Sequence, residues 1–146
     1  MTDWLLDTNV LSELRRAKPE PRVVKFVAGQ PLDRLFVSSV TLAEIRFGIE
    51  LAPDAAMRAQ LSDWLTHRVR PMFENRILAV DEDTMFKWRL LVEEGRKKGH
   101  TYSQPDLLIA ATALQRGMTV VSRDTADYVR TGVGLFNPWV DEFPAT

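Results

Sequence analysis

Residues 4–11 read WLLDTNVL, an apolar run that gives way to an acid and then to apolar side chains at helical spacing. The run at 4–6 predicts a buried β-strand, and the positions of Val10, Leu11 and Leu14 predict one face of a helix. Asp7 therefore lies where a strand passes into a helix. Burying a charge at such a point is costly unless something balances it, so Asp7 is a candidate functional residue.

Short apolar runs and helical patterns alternate along the rest of the chain. Further strands are predicted at 35–38, 76–80, 118–122 and 135–136, and helices at 22–28, 40–51, 54–69, 83–99, 105–115 and 125–129. In the helix at 40–51 we expect Leu42, Ile45 and Ile49 to be buried, with Phe47 as a further candidate. The alternation predicts an α/β fold with a parallel sheet covered on both faces, in one domain over residues 1–146.

The composition excludes several kinds of site. The chain has no cysteine and only two histidines, which lie far apart, so disulfides and thiolate metal sites are excluded and a zinc site is disfavoured. Oxygen ligands favour a hard cation, Mg²⁺ or Mn²⁺. No apolar run approaches the roughly 20 residues of a membrane helix, and the first residues carry acids instead of a basic leader. We expect a cytoplasmic protein without a membrane span.

A net charge of −1 argues mildly against a protein that coats nucleic acid by bulk charge. Basic residues nevertheless cluster at 15–18, 68–70 and 96–100. These clusters are interpreted either as solvated helix ends or as a rim that binds phosphates.

Four acids stand out by position. Asp7 ends the first strand, Asp124 follows the fourth, Asp106 opens the most apolar helix, and Glu44 is predicted in the first turn of its own helix. Ligands of parallel sheets bind beyond the carboxyl ends of the strands, where Asp7 and Asp124 should lie. The two helix starts can converge on the same crevice.

Each acid also has a purely structural explanation. The spacing from Thr41 to Glu44, and from Ser103 to Asp106, fits a capping box at the start of a helix. Asp124 can be a turn residue. Taken together, however, converging carboxylates would repel one another, and a divalent cation resolves that repulsion. Such an ion stabilises charge on phosphate oxygens and activates a bound water, which makes a phosphodiester the natural substrate.

The chain resembles the PIN-domain ribonucleases, in particular the VapC-type toxins of type II toxin–antitoxin pairs and, among these, the FitB-like branch. The resemblance runs essentially end to end. It rests on motifs at 5–13, 39–48, 106–113, 121–125 and 136–139. Each motif is weak alone, but together, in this order and spacing, they are highly specific.

The resemblance implies a three-layer α/β/α sandwich around a central parallel sheet. Asp7, Glu44, Asp106 and Asp124 match the family's four acidic positions, with Asp7 and Asp106 as direct metal ligands and the other two bound directly or through water. Small polar positions are matched by Thr8 and Ser122, whose side chains could bond a metal water or a phosphate. Local hydrogen bonds at the strand ends are the alternative for both.

The resemblance also implies an activity and partners. The chain would be a magnesium-dependent ribonuclease, with Mn²⁺ able to substitute, that hydrolyses RNA phosphodiester bonds through a metal-activated water. It would form a homodimer and be inhibited by a cognate antitoxin that carries a DNA-binding domain and lays its tail over the active site.

Two rival functions remain open. A phosphohydrolase could use Asp7 as a nucleophile, although that chemistry usually needs a second acid two residues on, where this chain has Asn9. A PIN-like module could bind RNA or a partner without cutting it. A dinucleotide-binding enzyme is excluded because no Gly-x-Gly-x-x-Gly follows the first strand.

Overall fold

A computed structural model describes residues 1–144 of the chain. One parallel sheet of five strands, in the order β3-β2-β1-β4-β5, forms its centre. The strands are β1 (Trp4–Leu6), β2 (Leu35–Ser38), β3 (Ile77–Leu78), β4 (Thr119–Val121) and β5 (Gly134–Phe136). The predicted parallel sheet is confirmed. The single-domain prediction over 1–146 stays a prediction, and residues 145 and 146 lie outside the described part.

Helices connect the strands. They are α1 (Thr8–Arg15), α2 (Pro21–Gly29), α3 (Ser39–Leu51), α4 (Ala55–Trp64), α5 (Arg70–Met72), α6 (Glu82–Lys97), α7 (Gln104–Arg116) and α8 (Ala126–Val129). A 3₁₀ turn (Leu32–Arg34) precedes β2, and a π-helical segment (Leu65–Val69) joins α4 to α5. No helix in this described part is long and apolar enough to cross a membrane.

The sheet is buried on both faces, which accounts for its continuous apolar strands. Successive side chains of a strand point to opposite faces, so Leu5 and Leu6 enter different cores. Leu6 packs with residues of α1, α2 and α3, whereas Leu5 packs with Ile109 of α7 and with Tyr128 of α8. The predicted α/β/α sandwich is therefore confirmed.

The strand order reverses its direction of growth at β1. The chain moves from β1 outward to β2 and β3, and then returns to place β4 on the other side of β1. The carboxyl ends of β1 and β4 are aligned, since Leu6 pairs with Val121 and the Asp7 amide donates to the Val121 carbonyl at 2.9 Å. Such a switch point leaves a crevice between the diverging connections, and this is where ligands bind in open α/β sheets.

Two details of α3 correct the sequence prediction. The helix begins at Ser39, directly after β2, and the Ser38 hydroxyl accepts the Val40 amide at 3.0 Å as its cap. Thr41 is therefore buried inside the helix instead of capping it, and Glu44 lies in the second turn, so both the capping box and the first-turn placement were wrong. Phe47 was a candidate for burial but is 61% exposed.

Other boundaries also differ from the prediction. The helix expected over 54–69 ends at Trp64 and continues as the π-helical segment, and the strand expected over 76–80 has ladder pairing only at Ile77 and Leu78. Ser103 precedes α7, but its side chain makes no capping hydrogen bond, so the second predicted capping box is absent as well.

Candidate active site

A cleft of about 680 Å³ opens at the carboxyl ends of β1 and β4. All four acids singled out in the sequence line this cleft: Asp7, Glu44, Asp106 and Asp124. They come from the end of β1, from α3, from the first turn of α7 and from the loop after β4. The expected convergence of strand ends and helix residues on one crevice is therefore present.

Asp7 is the most buried of the four acids, with 5% of its surface exposed. Its Oδ1 accepts the Thr8 amide at 2.8 Å at the start of α1. Its Oδ2 accepts the hydroxyls of Ser122 at 2.9 Å and of Tyr128 at 3.0 Å. Burial raises the pKa of Asp7, the three hydrogen bonds partly oppose that rise, and the charge of Asp124 adds to it.

Asp106 is half-buried in the first turn of α7, and its Oδ1 lies 3.4 Å from the same Tyr128 hydroxyl. Burial, followed by the charges of Asp7 and Asp124, raises the pKa of Asp106 to about 6. Like charges next to a partly buried carboxylate raise its proton affinity, which is the opposite of what a positive partner would do. In residues 1–144, none of the four acids forms an ion pair with Lys, Arg or His.

Glu44 and Asp124 lie at the exposed side of the cleft. The Asp124 amide donates to the Ser122 hydroxyl at 3.0 Å, which fixes the loop after β4 beside Asp7. Because both carboxylates are open to solvent, they can accept hydrogen bonds from water or from water held by an ion.

The two small polar residues of the prediction have different positions. Thr8 lines the cleft and contacts Asp7 through its amide. Ser122 is fully buried, donates to Asp7 and accepts from the Asn9 side chain at 3.0 Å. The Ser122 hydroxyl thus takes part in hydrogen bonds between the two strand ends, and its predicted contact with a metal water or a phosphate stays a prediction. Asn9 is held in the same network, because its Oδ1 accepts the Arg123 amide at 3.1 Å.

Sequence reasoning missed Tyr128 and Arg123. Tyr128 is fully buried behind the cleft, and burial together with the nearby Asp7 and Asp106 charges raises the pKa of its hydroxyl, which keeps it a proton donor. A buried tyrosine hydroxyl needs a partner, but nothing in the sequence shows which one. Arg123 stacks over the Trp139 ring at 5.3 Å, and both residues line the cleft.

Arginines form part of the cleft wall. Arg15 and Arg16, from one of the three predicted basic clusters, line the cleft together with Arg123, whereas the residues at 68–70 and 96–100 are not part of its lining. Arg16 is already paired with Glu13 at 3.2 Å. The cleft thus combines a carboxylate floor with a cationic rim, an arrangement suited to a polyanion and a small cation together.

The donor set fits Mg²⁺ or Mn²⁺. Within residues 1–144, no three His, Asp or Glu side chains are gathered closely enough to hold an ion by direct ligation alone. Mg²⁺ needs no such cage, since it keeps several waters and is commonly held by one or two carboxylates. Asp7 and Asp106, which share a hydroxyl contact, are the pair that could supply direct ligands.

Known proteins resemble this chain over most of its length. A family model described as PIN domain matches residues 4–132. "VapC ribonuclease Y4jK" of Sinorhizobium fredii is 34% identical over 135 residues, which cover 92% of this chain and 96% of that protein. "Toxin FitB" of Neisseria gonorrhoeae is 36% identical over 137 residues, or 94% of this chain and 99% of that protein.

A solved structure described as FitAB bound to an IR36 DNA fragment contains a chain with the same fold. The TM-score is 0.87 at 35% identity, and the match covers 96% of this chain and 98% of that chain. The sequence motifs and the observed α/β/α architecture therefore agree with these comparisons.

Proposed function

The chain belongs to the PIN-domain family, and from that premise we propose that it is the ribonuclease toxin of a type II toxin–antitoxin pair, acting in the cytoplasm. The observation that carries the proposal is the convergence of Asp7, Glu44, Asp106 and Asp124 on one cleft, where no Lys, Arg or His of residues 1–144 forms an ion pair with them. The names of the relatives, one a ribonuclease and one a toxin, support the same activity.

Asp7 and Asp106 are the proposed direct ligands of Mg²⁺, for which Mn²⁺ can substitute. A divalent ion at these carboxylates supplies charge neutralisation for a phosphodiester and makes a water acidic enough to attack it. The raised pKa values of both residues support this assignment, because burial disfavours the charged form of each carboxylate and a nearby cation would favour it.

The remaining cleft residues act on the RNA and on water. Glu44 and Asp124 accept hydrogen bonds from water and orient it toward the phosphorus atom. Arg123 binds a phosphate that flanks the scissile bond, since a guanidinium binds two phosphate oxygens at once. Thr8, at the start of α1, offers a hydroxyl to a phosphate oxygen or to a water.

An antitoxin is the proposed partner. A cleft of unpaired carboxylates attracts an arginine side chain, which would occupy the position of the cation and block the site. The relative whose solved structure is a FitAB complex on DNA supports a partner that also binds DNA. A homodimer is part of the same proposal.

Cleavage of RNA by the purified protein is the primary test. We expect cleavage in Mg²⁺ or Mn²⁺, loss of cleavage in EDTA, and loss in Asp106→Asn. Asp63→Asn is the matched control, because Asp63 is an exposed acid on α4 outside this cleft. A non-cutting PIN-like module would leave RNA intact under all conditions. A phosphohydrolase that uses Asp7 would instead release phosphate and form an acyl-phosphate.

Expression in cells tests the toxin assignment. Expression of the chain alone should arrest growth, and expression with the neighbouring reading frame should relieve the arrest. Arrest that persists in Asp106→Asn would contradict a nuclease toxin, because that variant should not cut RNA.

A further inference from the structure

Tyr128 lies behind the cleft and contacts both carboxylates that we propose as direct metal ligands. Its hydroxyl oxygen is 3.0 Å from Asp7 Oδ2 and 3.4 Å from Asp106 Oδ1. We infer that Tyr128 is a positioning residue of the metal site: its hydroxyl shares one proton between Asp7, the nearer acceptor, and Asp106, so that a divalent ion meets a prearranged pair. The inference rests on the proposed function and deepens it.

The hydrogen bonds of Asp7 leave one coordination position open. A carboxylate oxygen accepts about two hydrogen bonds or ligand bonds. Oδ2 already accepts two hydroxyls, from Ser122 and Tyr128, whereas Oδ1 accepts only the Thr8 amide. The free position is therefore on Oδ1, and Tyr128 leaves it open because its hydroxyl is bonded to the other oxygen.

Asp106 depends on Tyr128 more strongly than Asp7 does. Among the described residues, the Tyr128 hydroxyl is the only hydrogen-bond partner of the Asp106 side chain. Without it, a half-exposed aspartate in the first turn of a helix can rotate freely about its side-chain bonds. Tyr128 thus links the start of α7 to the end of β1, two elements that are far apart in the sequence.

The side chain and backbone of Tyr128 are themselves held in place. The Tyr128 ring is fully buried in the core formed with Leu5, Ile109 and Val120. Its carbonyl accepts the Thr131 hydroxyl at 2.6 Å, which fixes the backbone of α8. A hydroxyl held in this way orients its carboxylate partners before an ion arrives, and such prearrangement strengthens metal binding.

Mn²⁺ binding measured by electron paramagnetic resonance tests the inference without any RNA. Tyr128→Phe removes the hydroxyl and keeps the buried ring, so we expect a folded protein whose Kd for Mn²⁺ is about 10- to 100-fold higher. Tyr102→Phe is the matched control, since Tyr102 is the second of the two tyrosines and packs at α6 and α7 away from the carboxylates. It should bind Mn²⁺ like the parent.

Ser122→Ala sharpens the test, because it separates the role of Tyr128 from the general loss of a hydrogen bond to Asp7. It removes the other hydroxyl on Asp7 Oδ2 but leaves Asp106 held, so its Kd should rise by only a few-fold. RNA cleavage by Tyr128→Phe should return close to the parent rate at saturating Mn²⁺, because the defect lies in metal affinity and not in the chemical step.

Folded Tyr128→Phe that binds Mn²⁺ as tightly as the parent, or more tightly, would overturn the inference. An effect of Ser122→Ala that equals or exceeds the effect of Tyr128→Phe would overturn it too. A parent that binds no Mn²⁺ would refute both this inference and the metal-dependent activity. A parent that binds Mn²⁺ but leaves RNA intact would refute the proposed function alone.

Discussion

Two carboxylates in the same cleft are equally buried but differ in their charged partners and in the direction in which their pKa values are shifted. Asp7 and Glu13 are each 5% exposed. Glu13 accepts the Glu20 amide at 2.8 Å and pairs with Arg16 at 3.2 Å, and these contacts lower its pKa. Asp7 has only neutral donors and acidic neighbours, and its pKa is raised.

The difference separates a structural acid from a functional one. Glu13 is satisfied by the chain itself and closes the loop between α1 and α2, where Glu20 caps α2. Among residues 1–144, Asp7 and Asp106 form no ion pair with a cationic side chain, and the proposed divalent ion would supply the missing positive charge. The exposed fraction does not distinguish Glu13 from Asp7, whereas their hydrogen-bond and ion-pair partners do.

The largest expected effect follows from removing the charge of Asp7. Asp7→Asn should lower RNA cleavage by about 10³-fold, because the loss of a direct ligand removes several kcal/mol of stabilisation from the transition state. Glu13→Gln, the same kind of change at the satisfied acid, should stay within a few-fold of the parent rate. Single-turnover cleavage of a labelled RNA compares the two variants, and equal losses would erase the distinction between them.

The outer acids of the cleft should matter less than the inner ones. Glu44→Gln and Asp124→Asn each remove a carboxylate proposed to act through water, and we expect cleavage to fall by about 10- to 100-fold. The Kd for Mn²⁺, measured alongside, should change less than in Asp7→Asn. Abolition of Mn²⁺ binding by Glu44→Gln would instead make Glu44 a direct ligand.

Most of the fold and the four acids could be predicted from the sequence, for definite reasons. The apolar run before Asp7 and the one before Ser122 identify two strand ends, and parallel strands bring such ends to one edge. The register of α3 could not be predicted correctly, because Ser38, the last residue of β2, caps the helix and Thr41 only resembles a cap.

Contacts between distant residues account for what sequence reasoning missed. The bond from Tyr128 to Asp7 spans 121 residues, and the one from Asn9 to Ser122 spans 113. No local pattern signals that a tyrosine of a short helix will reach a strand end. Glu13 was read as part of a motif, and its pairing with Arg16 and the Glu20 amide appears only once the loop is folded.

A substitution at Glu13 should lower the stability of the protein and leave RNA cleavage nearly unchanged. Glu13→Gln loses the charge that holds Arg16 and weakens the bond from the Glu20 amide, so we expect the Tm to fall by about 3–6 °C. The Kd for Mn²⁺ should stay within about twofold of the parent value. Thermal unfolding in EDTA measures the first quantity, and an unchanged Tm would mean that the Glu13 contacts contribute little.

At Asp106, in contrast to Glu13, we expect that removal of the charge raises the stability of the metal-free protein. Its pKa is raised from 3.8 to about 6 in the folded chain, so the folded state holds the proton more tightly than the unfolded state does. The contribution of Asp106 to the stability of the metal-free protein should therefore decrease as the pH rises from about 4 to about 6, and remain low above that range. Asp7, whose pKa is raised as well, adds a decrease in the same direction. Glu13 and Asp81, whose pKa values are lowered, contribute with the opposite sign.

Asp106→Asn should remove the part of this pH-dependent loss of stability that the Asp106 carboxylate causes. Near pH 7.5, in EDTA, we expect the Tm of this variant to exceed the parent value by about 2–4 °C, with a flatter dependence on pH. Saturating Mg²⁺ should raise the Tm of the parent and leave Asp106→Asn nearly unchanged. A Tm difference between Asp106→Asn and the parent that does not grow with pH through this range would contradict the raised pKa of Asp106.

The position of a bound ion tests the central difference between the two acids most directly. A crystal of the protein soaked in Mn²⁺ should show an anomalous peak within about 2.5 Å of a carboxylate oxygen of both Asp7 and Asp106, and none at Glu13. The absence of a peak in the cleft, or a peak next to Glu13 instead of Asp7, would contradict the assignment of Asp7 and Asp106 as the acids that bind a divalent cation.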